Sequence, residues 1–517
     1  MSENMSDKRE SGDHKDVLTA ALGMLLFIIL PLLAPKGYYQ LGEYKSVAFL
    51  CTGAAIIIAS AFCALTGKEI KCFINPGNAA GWFLFYGLSL CLSTVFSVDR
   101  RTAFWGAAGW RIGFVAELVS VICCISFIHY FHWDKLLQSL FLSGGAVVIA
   151  IAILNRFQVY PFSFMRDGEG YFLSTIGQIN WYCGWLSVIL PFAAGLLFAE
   201  ERKLQKIALS MFCFIAFFSA ITQGSDSAFL FIGVLFMTLF LYAAGSREKI
   251  HRALSVWVLF LAACVIAAVI LEREPGIFAE YFLNHAGMAL RILRWKGIYI
   301  LFIVSFAGMV YTGLPDWQGG IRRTEMKKSV RGEIFIRNLI PVGMVLVSVF
   351  LLAVQVLFPE IFTPEFGNNR GIQWKAVSDT WRSFSPGRKL IGAGPDCLNY
   401  YLRNYTEYAA QIHAFFGENI VAAHSILLHR LFTTGILGTA AYILLLASSV
   451  RKLLTRETTM PFALVVLCYC ANGLVSFDQV MNMPYVFLLM GAGLGLLTGE
   501  GIIGTEHASV KKACIEF

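Results

Sequence analysis

From Val17 to Leu497 the chain is a succession of apolar stretches, most of them 17 to 25 residues long. Each is long enough to cross the roughly 30 Å hydrocarbon core of a bilayer as a helix. Lipid offers no hydrogen bonds, so such segments must satisfy their own backbone as helices, and irregular chain is confined to the membrane faces. A hydrophobic content of 57% with 14% charged residues and a mean hydropathy of +0.66 excludes an ordinary soluble domain.

The pattern predicts spans at 17–35, 46–66, 79–96, 112–131, 136–154, 181–199, 206–222, 227–244, 253–271, 297–314, 338–358, 431–450, 461–477 and 483–498. The expected fold is all-α: a polytopic transmembrane bundle of about fourteen spans, with twelve or thirteen as the alternative. It divides into a tail (1–16), eleven spans (17–358), one large loop (359–422), three C-terminal spans (423–498) and a second tail (499–517). The first span has no small-residue cleavage pattern and reads as an anchor. Threading the spans from an inside N-terminus puts 23 Lys and Arg on the cytoplasmic side against 12 outside, leaving out the 64-residue loop, which is too long to count. Both termini are therefore expected inside and segment 359–422 outside.

The net charge of +8 is spread over many short loops, which argues against nucleic acid and for lipid or phosphate partners. Of the 13 cysteines nearly all lie in apolar spans and only Cys397 falls in the long loop, so no disulfide framework or Cys-x-x-Cys metal site is readable.

Arginines gather on the predicted outer face, where they are disfavoured. Loop 97–111 carries Arg100, Arg101 and Arg111; loop 155–180 carries Arg156 and Arg166; loop 272–296 carries Arg291, Arg294 and Lys296. Singly they read as snorkelling ends, but together they suggest a phosphate-bearing ligand, because a guanidinium grips phosphate oxygens through two parallel hydrogen bonds. The long loop reads as an amphipathic helix over 371–383, a Pro-Gly turn, the glycine-rich LIGAGPD and an aromatic stretch. His424 then precedes a span. His424 and His429 lie about 140° apart on a helix, which is not a zinc pair. Glu117, inside its span, is expected to face the bundle interior and to pair with an outer arginine. Gly491, Gly495 and Gly499 predict close helix packing.

Four elements together resemble the O-antigen ligase and polymerase superfamily of bacterial membrane glycosyltransferases. They are LSTVFSVDRRTAFWGAAGWRIG; TIGQINWYCGWLSVILPF, with Gly177, Asn180 and Pro191; Arg370 and Trp374 ahead of GAGP at 392–395; and His424-Ser425 followed by Gly435 and Gly438. The resemblance implies a protein of the bacterial cytoplasmic membrane that moves a saccharide from a polyprenyl-diphosphate carrier to an acceptor hydroxyl outside. No cofactor and no metal are expected. His424 is the implied base, which removes the acceptor proton as the hydroxyl attacks. Arg370 is the first choice for the diphosphate, with Arg388, Arg111 and Arg294 behind it, and Asn180 and Trp374 join the substrate site. Many members carry Ser-Arg where this chain has Ser225-Asp226, so Asp226 becomes a second candidate base, or else a first-turn cap. An Asp-x-Glu at 167–169 would suit a metal-dependent enzyme of another fold, yet nothing near it completes a coordination shell. The rival class is a transporter or flippase of lipid-linked oligosaccharide, against which stands the lack of an internal repeat.

Overall fold

The computed structural model describes residues 18–65, 79–162, 164, 170–285, 287–314, 330–416 and 420–497. It is nearly all helix. The described strands are Pro35–Tyr38 and a two-residue antiparallel pair that sets Phe172 against Gln178 and Leu173 against Gly177. Among the described residues, seven helices are long and apolar enough to cross a membrane, and an eighth crossing is formed if the pair Gly287–Arg294 and Gly297–Gly313, bent by 73°, counts as one. Shorter apolar helices, among them Phe114–His129, Ala228–Ala243 and Met483–Leu497, lie between them.

Eight helices frame the polar interior of the bundle: α1 (Ala79–Val95), α2 (Phe114–His129), α3 (Lys135–Arg156), α4 (Ile179–Ala199), α5 (Ala228–Ala243), α6 (Phe366–Ser383), α7 (Ile426–Leu453) and α8 (Met460–Gly473). The centre is α4, 89% buried over its apolar window and packed against α8. At the other extreme Arg337–Leu357 is only 28% buried, and its Leu346 and Phe350 point outward, as lipid-facing residues do. Polar side chains start helices where the sequence changes character: the Asp134 carboxylate accepts the Leu137 N–H at 2.8 Å at the start of α3, and Ser425 caps the start of α7, each satisfying an orphan first-turn donor. Close packing through small residues holds for Met483–Leu497, where a Cβ on Gly491 would stand 2.3 Å from the Cys124 carbonyl oxygen and one on Gly495 2.7 Å from that of Phe127. Gly499 lies outside the described residues.

Segment 359–422 folds into short helices over a core of its own, built from Trp374, Val377, Phe384, Leu398, Leu402 and Ile412 and continued by Leu428 and Phe432 of α7. The helix expected over 371–383 takes helical dihedrals from Arg370, because Gly367, Asn368 and Asn369 are left-handed. The span expected over 431–450 begins earlier, at Ile426, and breaks at Gly435, whose φ of 69° and ψ of −171° are not helical. The break frees carbonyls, and the glycine-rich turn takes them. Ala393 N–H donates to Phe432 O at 2.9 Å and Gly394 N–H to Thr433 O at 2.8 Å, while Ser93 Oγ of α1 donates to Thr433 O at 2.8 Å. The same turn binds the 97–111 loop: Val98 N–H donates to Ala393 O at 2.9 Å, and the Asp396 carboxylate accepts the Ala107 N–H at 2.6 Å.

Candidate functional site

At the end of the bundle that carries segment 359–422, polar side chains from five places in the sequence meet. The first two are the start of α4 and the turn before α5. Ser225 Oγ donates to Asn180 Oδ1 at 2.8 Å and shares a hydrogen bond with Ser227 Oγ at 2.7 Å; Ser227 Oγ donates to Cys183 Sγ at 3.1 Å. Gln223 holds the turn closed, its Nε2 donating to Ser225 O at 2.6 Å and its Oε1 accepting Ser225 N–H at 2.9 Å.

The third place follows α8. Asn472, Gln479 and Asn482 are fully buried and crowd Gly184, where a Cβ would stand 2.9 Å from Gln479 Nε2 and 3.2 Å from Asn482 Nδ2. Without a side chain, Gly184 lets these amides come close to α4. Gln479 Oε1 and Asn472 Nδ2 have no hydrogen-bond partner, and buried amide atoms left so are costly unless a ligand or water completes them.

Arg370 and His424 are the fourth and fifth. The Arg370 charge lies within electrostatic reach of both His424 and Cys183, its Nη1 donates to Gly367 O, and its buried Nε has no partner. His424 has a φ of 48°, a left-handed conformation that a non-glycine residue adopts at a cost and that concentrates at functional sites. Its half-buried ring packs edge-on against Phe477 at 4.9 Å. Burial first, then the Arg370 charge and His429, pull its pKa below the usual histidine value, so the ring is neutral at physiological pH and its lone pair is free to accept a proton. Gln355 braces both residues. Its carbonyl accepts Ser378 Oγ of α6 at 2.9 Å, and its Oε1 accepts Ser425 Oγ, next to His424, at 3.1 Å.

Beneath this lies a buried ionic cluster. Arg430 of α7, 2% exposed, donates through Nη1 to Glu117 Oε2 of α2 at 2.9 Å and through Nη2 to Asp478 Oδ2 at 2.6 Å, with Tyr86, Tyr442 and Tyr469 around it. Glu117 does face the interior and pair with an arginine, one from within a helix. A small, mostly apolar recess opens beside Ile426 and Leu427, lined also by Met344, Ile443 and Leu446.

The structure therefore brings together Arg370, His424 and Asn180. It sets the other expected site residues apart, for reasons visible locally. Asp226 is exposed, and its carboxylate accepts the Met288 N–H at 2.9 Å, so it caps the Gly287–Arg294 helix. Trp374, expected in the substrate site, is 3% exposed and enclosed by Phe362 and Phe366 at 4.9 and 5.6 Å, with no face left for a sugar. Arg111 is ion-paired to Glu43. Arg388 lies over the rings of Phe384 and Tyr401 at 5.9 and 5.8 Å, and Arg294 is exposed at a helix end. Asp167 and Glu169, the acidic pair weighed for a metal, lie outside the described residues. Sequence reasoning misses Cys183, Ser227, Gln355, Asn472 and Gln479; their readable signal is polarity or small size at the edge of an apolar span, which by itself points nowhere.

No family model matches the chain, and a comparison with curated proteins finds no match.

Proposed function

We propose that this protein is a membrane glycosyltransferase that moves a saccharide from a polyprenyl-diphosphate carrier to an acceptor hydroxyl at the outer face of the bacterial cytoplasmic membrane. The observation that carries the proposal is the meeting of Arg370, His424 and the Asn180–Ser225–Ser227–Cys183 chain on one patch. As the bond between the anomeric carbon and phosphate breaks, negative charge grows on the diphosphate. A fixed guanidinium stabilises that charge more in the transition state than in the ground state. Neutral His424 takes the acceptor proton as its oxygen attacks. The fourteen-span topology with both termini inside is part of the same proposal. A helix of 14 to 17 residues, such as α8 or α1, is about 21 to 26 Å long, and its flanking turns complete a crossing.

One reading competes on a specific observation. A broken helix and a buried ion cluster are features of transporters, and α7 with Arg430 has both. The freed carbonyls of α7 are occupied by Ala393 and Gly394 rather than turned to a pathway, which favours the enzyme. The deciding experiment is transfer from a polyprenyl-diphosphate glycan by protein reconstituted in vesicles. His424→Ala and Arg370→Ala are expected each to abolish transfer while the protein stays folded. Absence of transfer by the wild-type protein overturns the enzyme proposal, wild-type transfer in both variants removes Arg370 and His424 from its site, and movement of lipid-linked glycan across the vesicle without transfer establishes the transporter.

A further inference from the structure

Two arginines in this structure are buried to about the same depth, Arg156 at 1% exposure and Arg430 at 2%, and among the described residues only Arg430 is ion-paired. Arg430 has Glu117 and Asp478. Arg156, at the end of α3, donates one hydrogen bond, from Nη2 to Gln223 O at 2.6 Å, and its Nε and Nη1 have no partner. Among the described residues no carboxylate is ion-paired with it. Aromatic rings surround it as well: its guanidinium stands 5.4 Å from the Phe282 ring centroid, with Tyr160, Tyr281 and Tyr182 within electrostatic reach. A buried cation with free donors asks for an anion, because each unmet N–H and the charge itself carry a desolvation cost that only a ligand can return.

The placement says which anion. Arg156 grips the carbonyl of Gln223, the residue whose side chain closes the Ser225 turn, while Arg370 lies within electrostatic reach of Cys183, which accepts a hydrogen bond from Ser227 of that turn. Tyr171 lies within electrostatic reach of Arg370 and meets Tyr281 edge-on at 5.3 Å, which is within reach of Arg156. Two glycines lie against the guanidinium: a Cβ on Gly170 would stand 3.7 Å from Nη1 and one on Gly224 3.6 Å from Nη2.

We infer that Arg156 is a second anion-binding residue of the site, which holds one phosphoryl group of a diphosphate while Arg370 holds the other. This rests on the proposed function only for the identity of the full donor. The anion site itself is testable without transfer.

Purified full-length protein in a neutral detergent is titrated with inorganic pyrophosphate, orthophosphate and phosphatidylglycerol, and binding is read by calorimetry and thermal shift. Pyrophosphate is expected to bind tightest. Arg156→Gln is expected to weaken it at least tenfold and Arg156→Lys, which keeps the charge but not the fork, by less. Unchanged pyrophosphate affinity in Arg156→Gln, even with a lowered melting temperature, overturns the inference and leaves a structural role. If Arg156→Gln does not fold, Arg156→Lys with wild-type affinity and wild-type preference for pyrophosphate over orthophosphate does the same. So does a wild-type protein that binds phosphatidylglycerol and not pyrophosphate, which would make this an ordinary headgroup site. Pyrophosphate bound through Arg156 in a protein that transfers no glycan keeps the anion site and defeats the enzyme proposal; transfer unaffected by Arg156→Gln does the reverse.

Discussion

Gly435→Ala tests how the large loop is fastened to the bundle. Gly435 and Gly392, the latter at φ 80° and ψ −172°, face each other in a region of backbone space open almost only to glycine. A Cβ on Gly435 would stand 2.3 Å from Leu390 O and 2.6 Å from Gly392 N, and all of the crowding atoms are backbone, so no side chain can move aside. Forcing a non-glycine residue into this conformation costs about 1–3 kcal/mol. Separating the two strands of chain to make room puts at risk the bonds Ala393 N–H to Phe432 O and Gly394 N–H to Thr433 O, each worth about 0.5–1.5 kcal/mol net. The expected loss is about 2–6 kcal/mol, measured by equilibrium unfolding in mixed micelles. Because the turn fastens segment 359–422 to α7 at the break, transfer should fall as well. The control is Gly233→Ala in α5, where a Cβ meets nothing within 4 Å and helix propensity predicts a gain of about 0.5–1 kcal/mol. A Gly435→Ala protein as stable as wild type would refute the reasoning, since it would mean that the two backbones are not in contact.

The same geometry sets three other outcomes. Asp226→Ala should cost about 0.5–2 kcal/mol as a lost cap and leave turnover near wild type; a hundredfold drop in turnover would return Asp226 to the role of base. Replacing Arg430 by Met strands Glu117 and Asp478 in the bundle and should cost about 3–5 kcal/mol, with much of it recovered in the triple variant that also carries Glu117→Gln and Asp478→Asn; additive losses would show that the three do not act as a unit. His424 carries a depressed pKa, so its contribution to stability is complete above the unfolded value of about 6.5 and is lost as pH falls from there through the folded value. The acid limb of the transfer rate should accordingly lie below that of a free histidine, and a limb above about 6.5 would show the ring to be exposed.

Legibility in the sequence differs by residue. The helical class and the position of the polar loop follow from hydropathy, because lipid permits no other way to satisfy a backbone. The inward turn of Glu117 is legible for the same reason, since a carboxylate in a span has nowhere else to go. Arg430, its partner, carries no such signal, and neither does the pairing. His424 and Arg370 stand out as polar residues at interfaces, but Trp374 and Arg388 stand out equally and prove to be a core residue and a cation over aromatic rings. Sequence spacing gives no hint of which of two exposed-looking arginines the fold will bury.

Length, apolar runs and the few interruptions of them determined that this chain is a helical membrane protein with one large polar segment, since transfer of apolar surface and backbone satisfaction act residue by residue along the chain. Tertiary structure alone decided that a turn at 392–394 would mend a break at Gly435, that Asn180, Ser225 and Cys183 would share hydrogen bonds, and that Arg156 would be left with donors to spare. Those outcomes depend on which distant surfaces pack together, and packing is a property of pairs that no single stretch of sequence contains.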